Sequence, residues 1–198
     1  MFRAPRFGLV FAAIFGLGGC MQQAVLENDV RSAVWKARTL TTATDLNIAQ
    51  AALSAQLVDL EALYQRAPDD ARVLGLLDRG YELMARGFIE LRHLDAVNAG
   101  DRARAEQELQ LRADAEARAR YYRQRLGTSV TGNRSKLESA LAEPEAACAR
   151  HDRAAYEQQL NALLTEPAAS PEARLERALV QKLASAWLLP NVAARCKF

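Results

Sequence analysis

Three cysteines and two histidines in 198 residues are too few, and too scattered, for a zinc framework of the Cys-x-x-Cys or His-x-x-x-His kind. Charge of one sign is also missing. With Arg3 and Arg6 of the leading segment set aside, 24 basic residues balance 24 acidic ones, which excludes a nucleic-acid binder driven by bulk positive charge. No Gly-x-Ser-x-Gly elbow, phosphate-cradling glycine loop or His-Glu-x-x-His pair occurs, so the commonest hydrolytic and nucleotide-binding signatures are absent. Isoleucine, valine and phenylalanine are sparse beyond the first twenty residues, and no stretch reads as a strand. Disorder is excluded by the opposite fact: half of the chain is hydrophobic.

What is present begins with a cationic start at Arg3 and Arg6, an apolar run from Phe7 to Gly18, and small residues before Cys20. That order is the n-region, h-region and cleavage site of a bacterial export signal, and the run is shorter than the roughly 20 apolar residues a membrane span needs. The ending Leu17-Gly18-Gly19-Cys20 resembles the lipobox of bacterial lipoproteins. The resemblance implies removal of residues 1–19, lipidation of Cys20 on its sulfur and then on its new amino group, and durable anchoring by several acyl chains. Met21 stands where an inner-membrane retention signal would have aspartate, so the implied location is the outer membrane, with the body facing the periplasm. Such a compartment permits disulfides. Cys148 and Cys196 are then either bridged or two unpaired buried thiols, and spacing alone does not choose between them.

From Met21 onward the vocabulary is Ala, Leu, Arg, Glu and Gln, which predicts an all-α fold. Breaks are expected at Thr41–Thr44, Pro68–Asp70, Asn98–Asp101, Gly127–Asn133, Glu143–Pro144 and Glu166–Pro171, leaving helices of about 10 to 28 residues between them. Leu46, Ala49, Leu53, Leu57, Leu60 and Tyr64 form one apolar stripe; Leu74, Leu77, Tyr81, Met84, Phe88 and Leu91 form the next. Antiparallel helix hairpins packed through these stripes follow, in a helical bundle or short solenoid. Asp69 or Asp70 is expected to cap one helix, and Ser170-Pro171-Glu172 to open the last long one. The alternating segment Arg112–Arg120 has the period of a strand, yet its residues are helix formers and Glu108/Arg112, Asp114/Arg118 and Glu116/Arg120 are acid-then-base pairs at i,i+4; it reads as a solvated helix. Pro68 followed by Leu74, Leu77 and Tyr81 matches part of the tetratricopeptide pattern, but Glu90 stands where a small residue belongs and no 34-residue period recurs.

Three sets of residues are candidates for chemistry or binding. Glu90 and His93, at i,i+3, have the spacing of a helix-bundle metal site but lack a second copy, so a structural or an exposed histidine is expected and no metal or other cofactor is assigned. Cys148 and His151 are the nearest approach to a nucleophile and base, without an evident oxyanion donor or orienting acid. Tyr81, Phe88, Tyr121, Tyr122 and Arg123 are of the types favoured at interfaces and are the candidate partner-binding residues, though a Tyr pair commonly divides between core and surface. Gly75, Gly80 and Gly87 each cost about 1 kcal/mol in a helix, which calls for close helix approach or an open groove in return.

The order of these segments resembles the T component of tripartite ATP-independent periplasmic (TRAP) transporters, a family of helical, tetratricopeptide-like lipoproteins. The similarity runs from the lipobox through Asp45-Leu46, Leu60-Glu61-Ala62-Leu63, Ala67-Pro68-Asp69-Asp70, Gly80-Tyr81, Gly87-Phe88-Ile89-Glu90 and Tyr121–Gly127 to Pro171–Lys182. It implies a non-enzymatic scaffold, with 1–19 as signal, 20–44 as lipidated N-terminus and first helix, and 45–198 as the helical domain. The implied partners are the periplasmic solute-binding protein of such a transporter and, through the anchor, the membrane. The family's central helical section is missing here, because Gly127–Pro167 is short and lacks its Leu-Phe-Trp-like segment; a ligand channel and oligomer contacts are therefore not carried over. A structural or envelope-assembly lipoprotein on the same scaffold is the alternative, and a hydrolase using Cys148 and His151 is the third reading.

Overall fold

Four helices of this protein begin at an aspartate. In the computed structural model, which describes the backbone of residues 8–127 and 136–198 and their side chains except 8–20, 136 and 138, Asp45, Asp70, Asp101 and Asp152 each accept hydrogen bonds from backbone N–H groups two or three residues ahead. Each satisfies donors that a helix start leaves free, and so fixes where the chain turns into helix. The helices are α1 (Gly8–Thr41), α2 (Leu46–Arg66), α3 (Ala71–Leu83), α4 (Glu90–Ala99), α5 (Arg102–Leu126), α6 (Lys136–Ala149), α7 (Arg153–Thr165), α8 (Arg174–Trp187) and the short α9 (Pro190–Ala193). Among the described residues there is no strand, and the fold is an all-α bundle.

A π-helical segment, Met84–Ile89, joins α3 to α4 without interruption, so residues 71–99 form one central rod. The α1–α2 hairpin lies on one side of it and α5 on another, while α8 contacts α1, α2 and α4. Leu53, Leu57 and Leu60 of α2 and Leu74, Leu77 and Phe88 of the rod are buried together, as the stripes predict. Val30, Ala33 and Leu40 of α1 and Leu175, Leu179 and Leu183 of α8 belong to the same core. The first helix is thus part of the folded body from Val30 onward.

Two glycines explain themselves by close approach. A Cβ at Gly80 would stand 2.9 Å from Leu57 Cδ2, and one at Gly87 would stand 3.0 Å from Leu179 Cδ1. The rod therefore lets α2 and α8 come close at these points, and no groove opens there.

The structure corrects three expectations about boundaries and faces. Pro144 does not end a helix: it lies buried inside α6, whose packing against α7 and α8 holds the helix through the lost hydrogen bond. Ser170 makes no capping bond; Pro171–Ala173 is a 3₁₀ turn, and α8 starts after it. Residues 112–120 are not a freely solvated face, since Ala115 and Ala119 are buried against the rod and Arg112 and Arg118 reach across to it. Of the three expected i,i+4 pairs only Glu116–Arg120 is found, at 3.8 Å. The leader residues 1–7 and the break over 128–133 lie outside the described residues.

Candidate functional site

The sequence-selected tyrosines meet at one place, where α2, α3 and α5 converge on the carboxylate of Glu61. Tyr81 donates its hydroxyl to Glu61 Oε1 at 2.7 Å, and Tyr122 donates to Oε2 at 2.7 Å. Arg118 adds one amino group shared between Glu61 Oε1 (2.9 Å) and the Tyr81 oxygen (2.8 Å), and its guanidinium lies over the Tyr81 ring at 5.4 Å. The rings are packed as well as bonded: Tyr81 and Tyr122 stack with centroids 6.1 Å apart, while Tyr64 and Tyr121 meet Tyr122 edge-on at 5.3 and 5.1 Å. Tyr64 and Tyr121 share a hydroxyl bond of 2.9 Å at the outer edge.

Such a cluster holds its protons. Burial and the neighbouring Glu61 carboxylate push the Tyr81 and Tyr122 hydroxyls above their ordinary range, and the bond to Tyr121 does the same to Tyr64. Glu61, with three donors on two oxygens, has both oxygens engaged, and the arrangement joins three helices. Glu61 and Arg118 are not among the site residues expected from the sequence, where Arg118 is paired with Asp114. The signal was there, in an acid bordering the Leu57–Leu60–Tyr64 stripe, but its partners lie 20 to 61 residues away.

The five candidate partner-binding residues do not form one rim. Phe88 and Tyr122 are in the core, so neither reaches a partner without unfolding. Arg123 is engaged by Asp78 at 2.9 Å and Glu82 at 2.8 Å, and Tyr81 is half-buried in the Glu61 cluster. Tyr121 alone of the five is exposed; Leu109 and Leu111 of α5 are exposed too, but on opposite flanks of its buried face.

Glu90 and His93 are likewise structural. Arg195 donates to His93 Nε2 at 3.3 Å, which makes that nitrogen the acceptor and leaves Nδ1–H to donate to the Ala105 carbonyl at 3.0 Å. Glu90 pairs with Arg112, and Glu108 with Arg92 at 2.9 Å. Among the described residues no three metal-binding side chains come together.

Cys148 and Cys196 are joined in a disulfide with Cα atoms 4.9 Å apart. The closed bridge leaves no thiolate for a Cys148–His151 pair, and His151 Nδ1 is bonded instead to the Cys196 carbonyl at 2.6 Å. Behind the bridge, Tyr156 stacks on Trp187 and donates to its carbonyl at 2.7 Å, and burial pushes the Tyr156 hydroxyl up to about 12. Arg177 donates to the Leu163 carbonyl and Gln181 to that of Leu164, supplying from α8 the partners that the end of α7 lacks.

Cys20 lies within the backbone of α1, and its side chain is outside those described. Among the described residues no helix is long and apolar enough to cross a membrane. An open cleft of about 240 Å³ runs between α1 and α2, crossed by the ion pairs Lys36–Asp59 and Arg66–Asp29. No family model, curated protein or solved structure matches the chain.

Proposed function

We propose that this chain is an exported, outer-membrane-anchored periplasmic lipoprotein that acts without catalysis, as a helical scaffold associating with the solute-binding subunit of a TRAP-type transporter. The observation that carries the reading is Leu17-Gly18-Gly19-Cys20, behind a cationic start and a short apolar run and within the helix whose later turns join the core. The Cys148–Cys196 bridge supports an oxidising compartment. The polar clusters support a scaffold, because Glu61, Glu90, His93 and Glu108 are committed to internal partners. Tyr121, exposed on α5, is the point this reading offers to the solute-binding protein.

Two measurements test it separately. Radiolabelled palmitate fed to cells expressing the full chain is expected in the wild type and not in Cys20→Ala; equal labelling of both would remove the anchor. Affinity capture is expected to retain a TRAP-type solute-binding protein, with retention falling about tenfold or more for Tyr121→Ala while its helical content stays that of the wild type. Envelope-assembly proteins in its place would assign the scaffold to the alternative role.

A further inference from the structure

The outward face of α1 starts at the proposed anchor. At 100° per residue, positions 20, 21, 24, 28, 31, 35 and 38 fall within about 100° of one another, a single stripe about 27 Å long. These are Cys20, Met21, Ala24, Asn28, Arg31, Trp35 and Arg38, and the six that follow Cys20 are all exposed. The opposite stripe, with Val30, Ala33 and Leu40, is in the core. The stripe contains no acid. The two carboxylates of α1 nearest to it are held elsewhere: Glu27 accepts two bonds from Arg72 of α3, at 2.8 and 2.7 Å, and lies 3.9 Å from Arg31, while Asp29 pairs with Arg66 of α2.

Midway across the stripe and near its far end is Trp35, 61% exposed, with the Arg38 guanidinium over its ring at 5.6 Å. It is well placed for the boundary between headgroups and acyl chains, where tryptophan is enriched and arginine meets lipid phosphates. Acyl chains on Cys20 would hold the start of the stripe at the bilayer, and Trp35 lies about 22 Å further along the same face.

We infer that α1 lies flat on the membrane, its Met21–Trp35 face resting on an anionic lipid surface, so that the anchor fixes the orientation of the domain as well as its location. This rests on the lipid anchor proposed above. The body then projects away from the bilayer on the side opposite to this face, and the anchor is not a free tether.

The test uses the full chain reconstituted into vesicles of phosphatidylethanolamine and phosphatidylglycerol, with Trp35 emission isolated by subtracting the Trp35→Phe spectrum. Trp35 is expected to shift to the blue and to be quenched by brominated lipid at least about twofold more than by aqueous iodide. Arg31→Glu/Arg38→Glu should lose most of that shift, and phosphatidylcholine vesicles should give a weaker one. Iodide quenching of Trp35 that is the same with and without vesicles overturns the inference. So does a blue shift that appears without lipid and grows with protein concentration, which would assign the face to a second copy of the chain. The chain is held at the vesicle by acyl groups on Cys20 or, if unprocessed, by its apolar leader, so Trp35 is read in either case. Palmitate labelling reports the anchor independently, which separates failure of the orientation from failure of the lipoprotein reading.

Discussion

The central rod packs against α2 and α5 by two different means. On the α2 side the contact is leucine against leucine, with Leu53, Leu57 and Leu60 facing Leu74 and Leu77, Gly80 permitting close approach, and the bond from Tyr81 to Glu61 at its edge. On the α5 side the buried side chains of α5 are alanines, Tyr122 and Glu108, and the work of alignment falls to polar pairs: Arg92–Glu108, Glu90–Arg112, Asp78–Arg123 and Arg118–Tyr81. An apolar seam gains from area removed from water and tolerates small shifts. A seam of ion pairs gains little net free energy, because desolvation offsets attraction, but a shift by one residue leaves charges unpaired. The first seam therefore supplies stability and the second supplies register.

Removing a side chain from the apolar seam gives the largest expected effect. Leu77 is fully buried, and Leu77→Ala should lower the free energy of unfolding in urea by about 2–5 kcal/mol, through lost transfer free energy and the cavity left behind. A loss below 1 kcal/mol would mean that this seam is not where the fold's stability resides.

The same contrast decides what could be read from the sequence. The α2 and α3 stripes were legible because each repeats at three and four residues, and the cap, expected at Asp69 or Asp70 and made by Asp70, and the turn at Gly100 were legible because they are local. The α5 seam was not. Its pattern within the helix is a plain alternation of Arg, Ala and Glu, and the meaning of Arg112 or Arg118 comes from Glu90, Tyr81 and Glu61, far away in the chain. Pro144 misled for the same reason, since a residue that breaks an isolated helix is held here by α7 and α8. Of the candidate site, residue types were legible but their exposure was not: Tyr121 and Tyr122 are neighbours, and only the packed structure puts one outside and one in the core.

Acid should loosen a third kind of contact, smaller than either seam. Arg72 clamps α1 to the start of α3 by bonding Glu27 and Asp70, and those bonds hold both carboxyls below their ordinary range. The unfolded chain then takes up these protons before the folded one does. The contribution is complete above about pH 5 and disappears as pH falls through the carboxylate range, so the urea midpoint should drop between pH 5 and pH 3. Arg72→Gln should be less stable than wild type at pH 7 and should lose less on acidification. A variant that loses as much as wild type would show that the clamp plays no part in acid sensitivity.

The finest test compares two ion pairs of the same length. Arg92–Glu108 in the α5 seam and Lys36–Asp59 across the α1–α2 cleft each measure 2.9 Å. Their side chains differ in exposure: 29% and 10% for the first, 59% and 57% for the second. Distance alone would give them equal coupling. Solvent screening and the entropy of holding two long side chains should reduce Lys36–Asp59 to at most about 0.5 kcal/mol, while the partly buried pair, in which Arg92 Nε also bonds both Glu108 oxygens at 3.0 Å, should keep about 1–2 kcal/mol. Double-mutant cycles with Arg92→Gln/Glu108→Gln and Lys36→Gln/Asp59→Asn measure both couplings on one scale. Raising the salt concentration should weaken the exposed coupling more than the seam's. Equal couplings, or equal salt sensitivity, would mean that the charged seam of α5 behaves as ordinary protein surface, and that its register is set by the alanine and tyrosine packing beneath it.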